Sequence, residues 1–210
     1  LKFIVLTNTE VITELPIMET FYTVQGEGFY SGRAAFFIRV AGCDVGCVWC
    51  DVKDSWDANE HEILQVSHLV DQVKASGTNF VVVTGGEPGM YDLSYLTNQL
   101  HTLNLEIAVE TSGAYELNGE YDWICLSPKK FKKPLESVIS KAHELKIVVF
   151  NKSDMEWAET HAKQVPSNCK LYLQAEWEKK EKMYELILSY ITKNTQWKIS
   201  VQTHKYLGVD

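Results

Sequence analysis

A parallel α/β fold is what this chain of 210 residues predicts, on three observations. From about residue 36 onward, short runs of strand length alternate with stretches of helical periodicity, the pattern of repeated β-then-α units with right-handed crossovers. The runs are β-branched and nearly all apolar, as expected of parallel strands covered on both faces. Polar or glycine-rich segments follow several of them, and in parallel sheets and barrels the C-terminal strand ends are where ligands bind.

In chain order, residues 1–20 are strand-like without a helix and read as an N-terminal attachment to the same domain. Strands are expected at 36–40, 80–84, 106–110, 123–126, 146–150, 171–174 and 197–201. A helix begins near Ser67 and stops at Gly77, with Leu69, Val70 and Val73 inward. In 92–103, Leu93, Leu96, Leu100 and Leu103 share one face behind an Asp92 cap. Further helices are expected at 154–164 and at 178–193, the latter with Met183, Leu186, Ile187, Tyr190 and Ile191 inward. The segment 113–121 is too short for a covering helix, so the helical layer is expected to be incomplete. No internal repeat, low-complexity tract or linker divides the chain, and residues 1–210 are expected to form a single domain.

Composition narrows the function. Hydrophobic residues make up 45% and charged residues 23%, with 12 Gly and 5 Pro, which excludes a disordered or fibrous protein. The net charge of −8, without a Lys/Arg block, argues against nucleic acid as a partner. No apolar run approaches the roughly 18 residues that span a membrane. The opening six residues lack the features of a signal peptide. A cytoplasmic protein is expected, and the absence of an initial Met leaves room for residues ahead of Leu1.

Of five cysteines, Cys43, Cys47 and Cys50 crowd into one loop beside Gly42 and Gly46, while Cys125 and Cys169 stand alone. An odd count in this pattern suits a metal or cluster site rather than a disulfide framework. Three thiolates can bind three corners of a 4Fe–4S cluster and leave the fourth iron open to a small molecule. Structural zinc would want a fourth ligand, and His61 is the nearest candidate. Three inert buried thiols are the remaining alternative. A second loop, Thr84-Gly85-Gly86-Glu87-Pro88, follows a strand, and its glycines let backbone approach a ligand closely. Later strand ends carry Glu110-Thr111-Ser112-Gly113, Ser127-Pro128-Lys129, Gln174-Ala175-Glu176 and Gln202-Thr203-His204-Lys205, so five polar ends outline a site.

The spacing Cys43-x3-Cys47-x2-Cys50 resembles the signature of radical S-adenosylmethionine (SAM) enzymes, in which the open iron is chelated by the methionine moiety of SAM. Trp49 resembles the aromatic position of that family near the adenine, and Gly85-Gly86-Glu87-Pro88 resembles its motif for the SAM amino group. The block Phe21-Tyr22-Thr23-Val24-Gln25-Gly26-Glu27-Gly28, then Gly32, then Phe37-Ile38-Arg39-Val40-Ala41-Gly42-Cys43, narrows the choice. With Gln202-Thr203-His204-Lys205-Tyr206-Leu207, it looks like the 7-carboxy-7-deazaguanine synthase family from about residue 18 to the C-terminus.

That resemblance implies an incomplete, helix-poor variant of the (β/α)6 partial TIM-type barrel, usually a homodimer, with its cluster loop at about 42–51. It implies ring contraction of 6-carboxy-5,6,7,8-tetrahydropterin to 7-carboxy-7-deazaguanine with release of ammonia, on the path to queuosine. Reductive cleavage of SAM would give a 5′-deoxyadenosyl radical that takes the C6 hydrogen and later returns it, regenerating SAM. The electron would come from a flavodoxin- or ferredoxin-type donor.

By the same resemblance, Cys43, Cys47 and Cys50 hold the cluster, and Trp49, Cys50, Asp51, Gly86, Glu87, Ser127, Pro128, Lys129 and Gln174 face SAM. Val24, Gln25, Gly26, Glu27, Arg39, Thr84, Glu110 and the terminal Asp210 bind substrate, with Glu27, Arg39 and His204 in catalytic roles. The chemistry suits a pterin: a carboxylate at Glu27 accepts from its N–H edge, and the Arg39 fork meets its carboxylate. His204 is expected on the polar face of a strand.

Two departures from the family pattern matter, one at the magnesium position and one among the SAM contacts. Val52 stands where a threonine hydroxyl commonly helps bind Mg2+, so magnesium is expected to be held through substrate and water or not to be required. Gly89-Met90 after the GGEP turn and Ala175 in place of a usual proline leave SAM contacts open. The rival readings are another small radical SAM enzyme, such as a glycyl-radical activase, and a non-catalytic Fe–S or zinc-binding module.

Overall fold

Residues 11–209 are described by a computed structural model. The expected strand character of residues 1–10, and Asp210, lie outside the described residues. The elements run β1 (Glu14–Val24), β2 (Ala34–Val40), β3 (Glu62–Gln65), α1 (Val66–Ser76), β4 (Phe80–Gly85), α2 (Ser94–His101), β5 (Glu106–Thr111) and β6 (Trp123–Leu126). There follow α3 (Glu136–Ile139), β7 (Glu144–Val149), α4 (Asp154–Ala162), β8 (Lys170–Ala175), α5 (Lys180–Ile191), β9 (Trp197–Ser200) and α6 (Thr203–Leu207).

All nine strands join one sheet in the order β3-β1-β2-β4-β5-β6-β7-β8-β9. From β2 to β9 every pairing is parallel, while β1 runs antiparallel to both β2 and β3. The parallel part is the expected partial barrel, which β9 extends beyond six strands. Its helical layer is incomplete where expected: β5 connects to β6 without a helix, and α3 is a single turn of four residues. Every expected strand and helix is present to within two residues at each end. Gly77 closes α1 in the left-handed conformation at φ 68°, which glycine adopts without steric cost. Asp92 Oδ1 accepts from Ser94 N at 2.9 Å, one step ahead of the first turn of α2.

The two faces of the barrel strands differ, because side chains alternate along a strand. Val81, Val83, Ile107 and Val109 point outward and pack against Leu69, Leu96 and Leu100 of α1 and α2. Leu145, Ile147 and Leu173 do the same with Met183 and Ile187 of α5. The inner face is layered. Phe37, Phe80, Val82 and Ala108, with Phe21, Tyr30 and Trp123, plug the N-terminal end. Tyr30 lies 4.8 Å from Phe80 between ring centroids, and Phe29 stacks on Trp123 at 4.7 Å. Above that plug the same inward register carries Arg39, Thr84, Glu110, Lys146 and Gln174, all lining the interior cavity. The expectation of strands apolar on both faces is therefore corrected: the upper inner face is polar and ionic.

Phe80 is fully buried at the centre of the plug. Phe80→Ala should lower unfolding stability in urea by about 3–5 kcal/mol, the usual cost of a large core cavity. A loss under about 1 kcal/mol would show that the plug does not hold the barrel together.

Candidate active site

The C-terminal strand ends enclose a cavity of about 450 Å³, within the range of small-molecule sites. Every site residue expected from the sequence lines it except Pro128, which is buried beside it, and Asp210, which lies outside the described residues. The cavity thus gathers residues from the loop after β1, the cluster loop, five parallel strands and the C-terminal segment.

On one side lies the cluster loop. Cys43, Cys47 and Cys50 pack with Val45, Trp49, Ala114 and Tyr115, and all three are free thiols. Burial pushes the Cys47 thiol up to about 11 and raises that of Cys43, so a thiolate there calls for a cation beside it. The GGEP turn is fitted against this loop. Gly86 N donates to Val40 O and Glu87 N to Gly42 O, each at 2.9 Å. A Cβ on Gly86 would meet Gly42 O at 2.2 Å and Cys43 Cβ at 3.1 Å, so only glycine permits this approach. Lys129 Nζ donates to Ser127 Oγ at 2.6 Å and lies 5.3 Å from the Trp49 ring, and burial lowers the Lys129 pKa.

The Glu87 side chain serves the rim. Its Oε1 accepts from Gly89 N at 3.0 Å and Thr111 Oγ1 at 2.5 Å, and its Oε2 accepts from the Ser112 backbone at 2.8 Å and from the Ser112 hydroxyl. Those four donors fill the acceptor capacity of a carboxylate. Its backbone is engaged as well, its N–H donating to Gly42 O and its C=O accepting from Met90 N, so Glu87 fixes the shape of the turn.

The opposite side and floor are ionic. Lys146, with a side chain 5% exposed, pairs with Glu27 and reaches Glu110 Oε1 at 3.4 Å. Gln202 Nε2 donates to Glu27 Oε1 at 2.8 Å, and Gln25 Nε2 to Glu110 Oε1 at 3.1 Å. Burial opposes ionisation of Glu27, but the Lys146 ammonium and the Gln202 amide outweigh it and hold the carboxyl down at about 2. Burial likewise opposes charge on Lys146, and Glu110 and Glu27 hold it protonated. Below them, Glu144 Oε2 accepts from Phe29 N at 3.2 Å and Trp123 Nε1 at 3.0 Å, and burial raises its pKa. Arg39 stands higher on the wall. Its Nε donates to Glu19 Oε1 at 2.7 Å across the β1–β2 pairing, which leaves its terminal nitrogens for another acceptor.

His204 is on α6, not on a strand, which corrects the expectation: β9 ends at Ser200, and the chain turns before Thr203. Thr203 N donates to Gly26 O at 2.9 Å, which lays α6 against the loop after β1. A Cβ on Gly26 would sit 2.0 Å from His204 Nδ1, and burial lowers the imidazole pKa. At the mouth, Lys205 Nζ meets Asp51 Oδ2 at 2.6 Å, joining α6 to the cluster loop. Gln202 and Lys205, expected on the polar rim without a role, line the cavity, and Lys146 and Trp177 line it without having been expected.

Residues 37–144 match the family model described as the radical SAM superfamily. A 7-carboxy-7-deazaguanine synthase of Flavobacterium psychrophilum is 49% identical over 195 residues, 93% of this chain and 92% of that enzyme. The chain belongs to the 7-carboxy-7-deazaguanine synthase family. The synthase so named from Synechocystis is 48% identical, covering 96% of this chain and 97% of its own. The crystal structure of QueE from Escherichia coli superposes with a TM-score of 0.79 at 29% identity, over 90% of this chain and 93% of that one.

A radical SAM enzyme of this family carries a 4Fe–4S cluster and uses SAM. The cysteine loop fits the cluster. Its three free thiols crowd one loop on the cavity wall, and a cubane takes each thiolate on a different iron. The residues do not fit family-type magnesium binding: Val52 lines the cavity with no oxygen, and the neighbouring Asp51 is engaged by Lys205.

Three outcomes follow for this site. Serine at Cys43, Cys47 or Cys50 should abolish iron retention after anaerobic reconstitution. Cys125→Ser and Cys169→Ser, both at buried strand-side positions, should retain it. Iron loss from a folded Cys125→Ser protein would overturn the assignment. Chelation of divalent ions should leave turnover little changed, and Val52→Thr should gain a magnesium response; an absolute requirement unaffected by Val52→Thr would contradict this. The third concerns acid. A carboxyl lowered from 4.5 to about 2 contributes stability that is fully present above 4.5 and is lost as pH falls toward 2. Melting of Glu27→Gln apoprotein should therefore decline less than wild type across that window.

Proposed function

We propose that this enzyme converts 6-carboxy-5,6,7,8-tetrahydropterin to 7-carboxy-7-deazaguanine with release of ammonia, as one domain spanning the chain. The observation that carries the reading is the single cavity that faces the three-cysteine loop on one side and Glu27, Glu110 and Arg39 on the other. Bound cluster and SAM supply a hydrogen-abstracting radical there, which no side chain can provide.

The chain's own residues bind and orient. Cys43, Cys47 and Cys50 hold the cluster, and the backbone at Gly86 with Trp49, Ser127, Lys129 and Gln174 seats SAM beside it. Arg39 turns its free guanidinium nitrogens to the substrate carboxylate, with Glu19 fixing the fork from behind. Glu27, ionised by Lys146, accepts from the pterin N–H edge, and Val24, Gln25, Gly26 and Thr84 shape the pocket around it. His204, largely neutral because it is buried, is able to hold or give a proton at Nδ1 or Nε2. Holding the reacting carbon close to the radical source is where the protein's contribution to rate lies.

A flavodoxin- or ferredoxin-type donor, a homodimer, a cytoplasmic setting and a binding role for Asp210 belong to the same reading on family resemblance. Among the described residues no helix is long and apolar enough to cross a membrane.

Anaerobic turnover of reconstituted protein with 6-carboxytetrahydropterin, SAM and a reductant tests the proposal. Formation of the deazapurine with one equivalent of ammonia is expected; SAM cleavage without that product would overturn it. Arg39→Ala should weaken substrate binding by about one to two powers of ten, the worth of a charge-assisted hydrogen bond. SAM cleavage without substrate should survive the change. Unchanged substrate affinity in Arg39→Ala would remove the carboxylate clamp.

A further inference from the structure

Lys146 is a charged side chain placed where a buried strand ordinarily carries an apolar one. Its ammonium has three N–H donors. Two are directed at Glu27 and Glu110, and the side chain still lines the cavity. The floor therefore sets acceptor-only carboxylates next to a cationic donor.

Resting on the pterin reading above, we propose that Lys146 determines substrate specificity by donating its third N–H to the ring oxygen at C4, while Glu27 or Glu110 accepts from the neighbouring ring N–H and 2-amino group. The pyrimidine edge of a 2-amino-4-oxo heterocycle runs donor, donor, acceptor. Carboxylates alone satisfy the two donors but repel the oxygen. An ammonium beside them completes the match. A 4-amino group in that position turns an N–H toward an ammonium, leaving two donors facing each other in a dry site, and a site built this way rejects the analogue. Without the lysine the floor would be acceptor-only and would lose its preference for an oxygen at position 4, keeping only the preference of its carboxylates for the N3–H, which a neutral 2,4-diamino ring lacks. The amides of Gln25 and Gln202 already direct N–H groups to Glu110 and Glu27, which leaves the lysine as the donor set between the two carboxylates.

The test is a pair of affinities measured by anaerobic calorimetry on cluster- and SAM-loaded protein without reductant, so that nothing turns over. The ligands are 6-carboxytetrahydropterin and its 2,4-diamino counterpart, in mildly alkaline buffer where both rings are neutral. Wild type should prefer the 4-oxo compound by about ten- to a hundredfold. Lys146→Met should cut that preference by about tenfold, leaving the part that comes from N3, a bare acceptor in the neutral diamino ring that faces the carboxylates in both proteins. Lys146→Gln, which keeps a neutral amide that can present either a donor or an acceptor, should do likewise and stands in if the methionine variant fails to fold. Equal affinities in wild type, or a ratio preserved in a folded Lys146 variant, would overturn the proposal while leaving the pterin reading intact. Failure of wild type to bind the 4-oxo compound at all would overturn both.

Discussion

An ammonium buried inside a barrel has to be matched by anions equally withdrawn from water, because the desolvation of each ion costs several kcal/mol. Lys146 meets that demand with Glu27 and Glu110, and much of the active-site architecture follows from the match. Glu27 belongs to the loop that joins β1 to the start of β2, so that loop must reach into the barrel from its N-terminal end. Gln25 fills the remaining space toward Glu110, and Gln202 comes in from beyond β9 to satisfy the far oxygen of Glu27. One charge group thereby ties β1, the central strands and the segment after β9 into a common floor.

Much of this was legible in order along the chain. The apolar run of β4 with its GGEP turn, the three-cysteine loop after β2, and the block that carries Glu27 and Arg39 ahead of it are local patterns, and all of them reach the cavity. Lys146 was not legible. Lys146-Ile147-Val148-Val149 looks like a strand that starts with a solvated lysine, and Lys198 in β9 is such a residue, exposed in a similar setting. The difference is that β7 begins two residues earlier at Glu144, so Lys146 is its third residue and shares the inward face with Glu144. Apolar composition identifies the outward face and is blind to an ionic inner one.

His204 shows a second limit. Its polar neighbours fit a strand end, but the chain leaves the sheet after Ser200 and winds into a helix that Gly208 ends at φ 67°. That glycine was the available local signal. The Asp51–Lys205 pair had none, since 154 positions separate its members.

The Glu87 carboxylate has a wider meaning once its place is considered. It is rooted in the turn that lies against the cluster loop, and it grips Thr111 and Ser112, the residues immediately after Glu110. The cofactor half and the substrate half of the cavity are thus machined as one part: a displacement of the turn carries Glu110 along with it. Errors in spacing between the two halves do not accumulate through the intervening strands. In a reaction where misplacing an atom by about 1 Å can cost two powers of ten in rate, a fully buried carboxylate whose oxygens are all engaged within the protein acts as the gauge block that sets the tolerance.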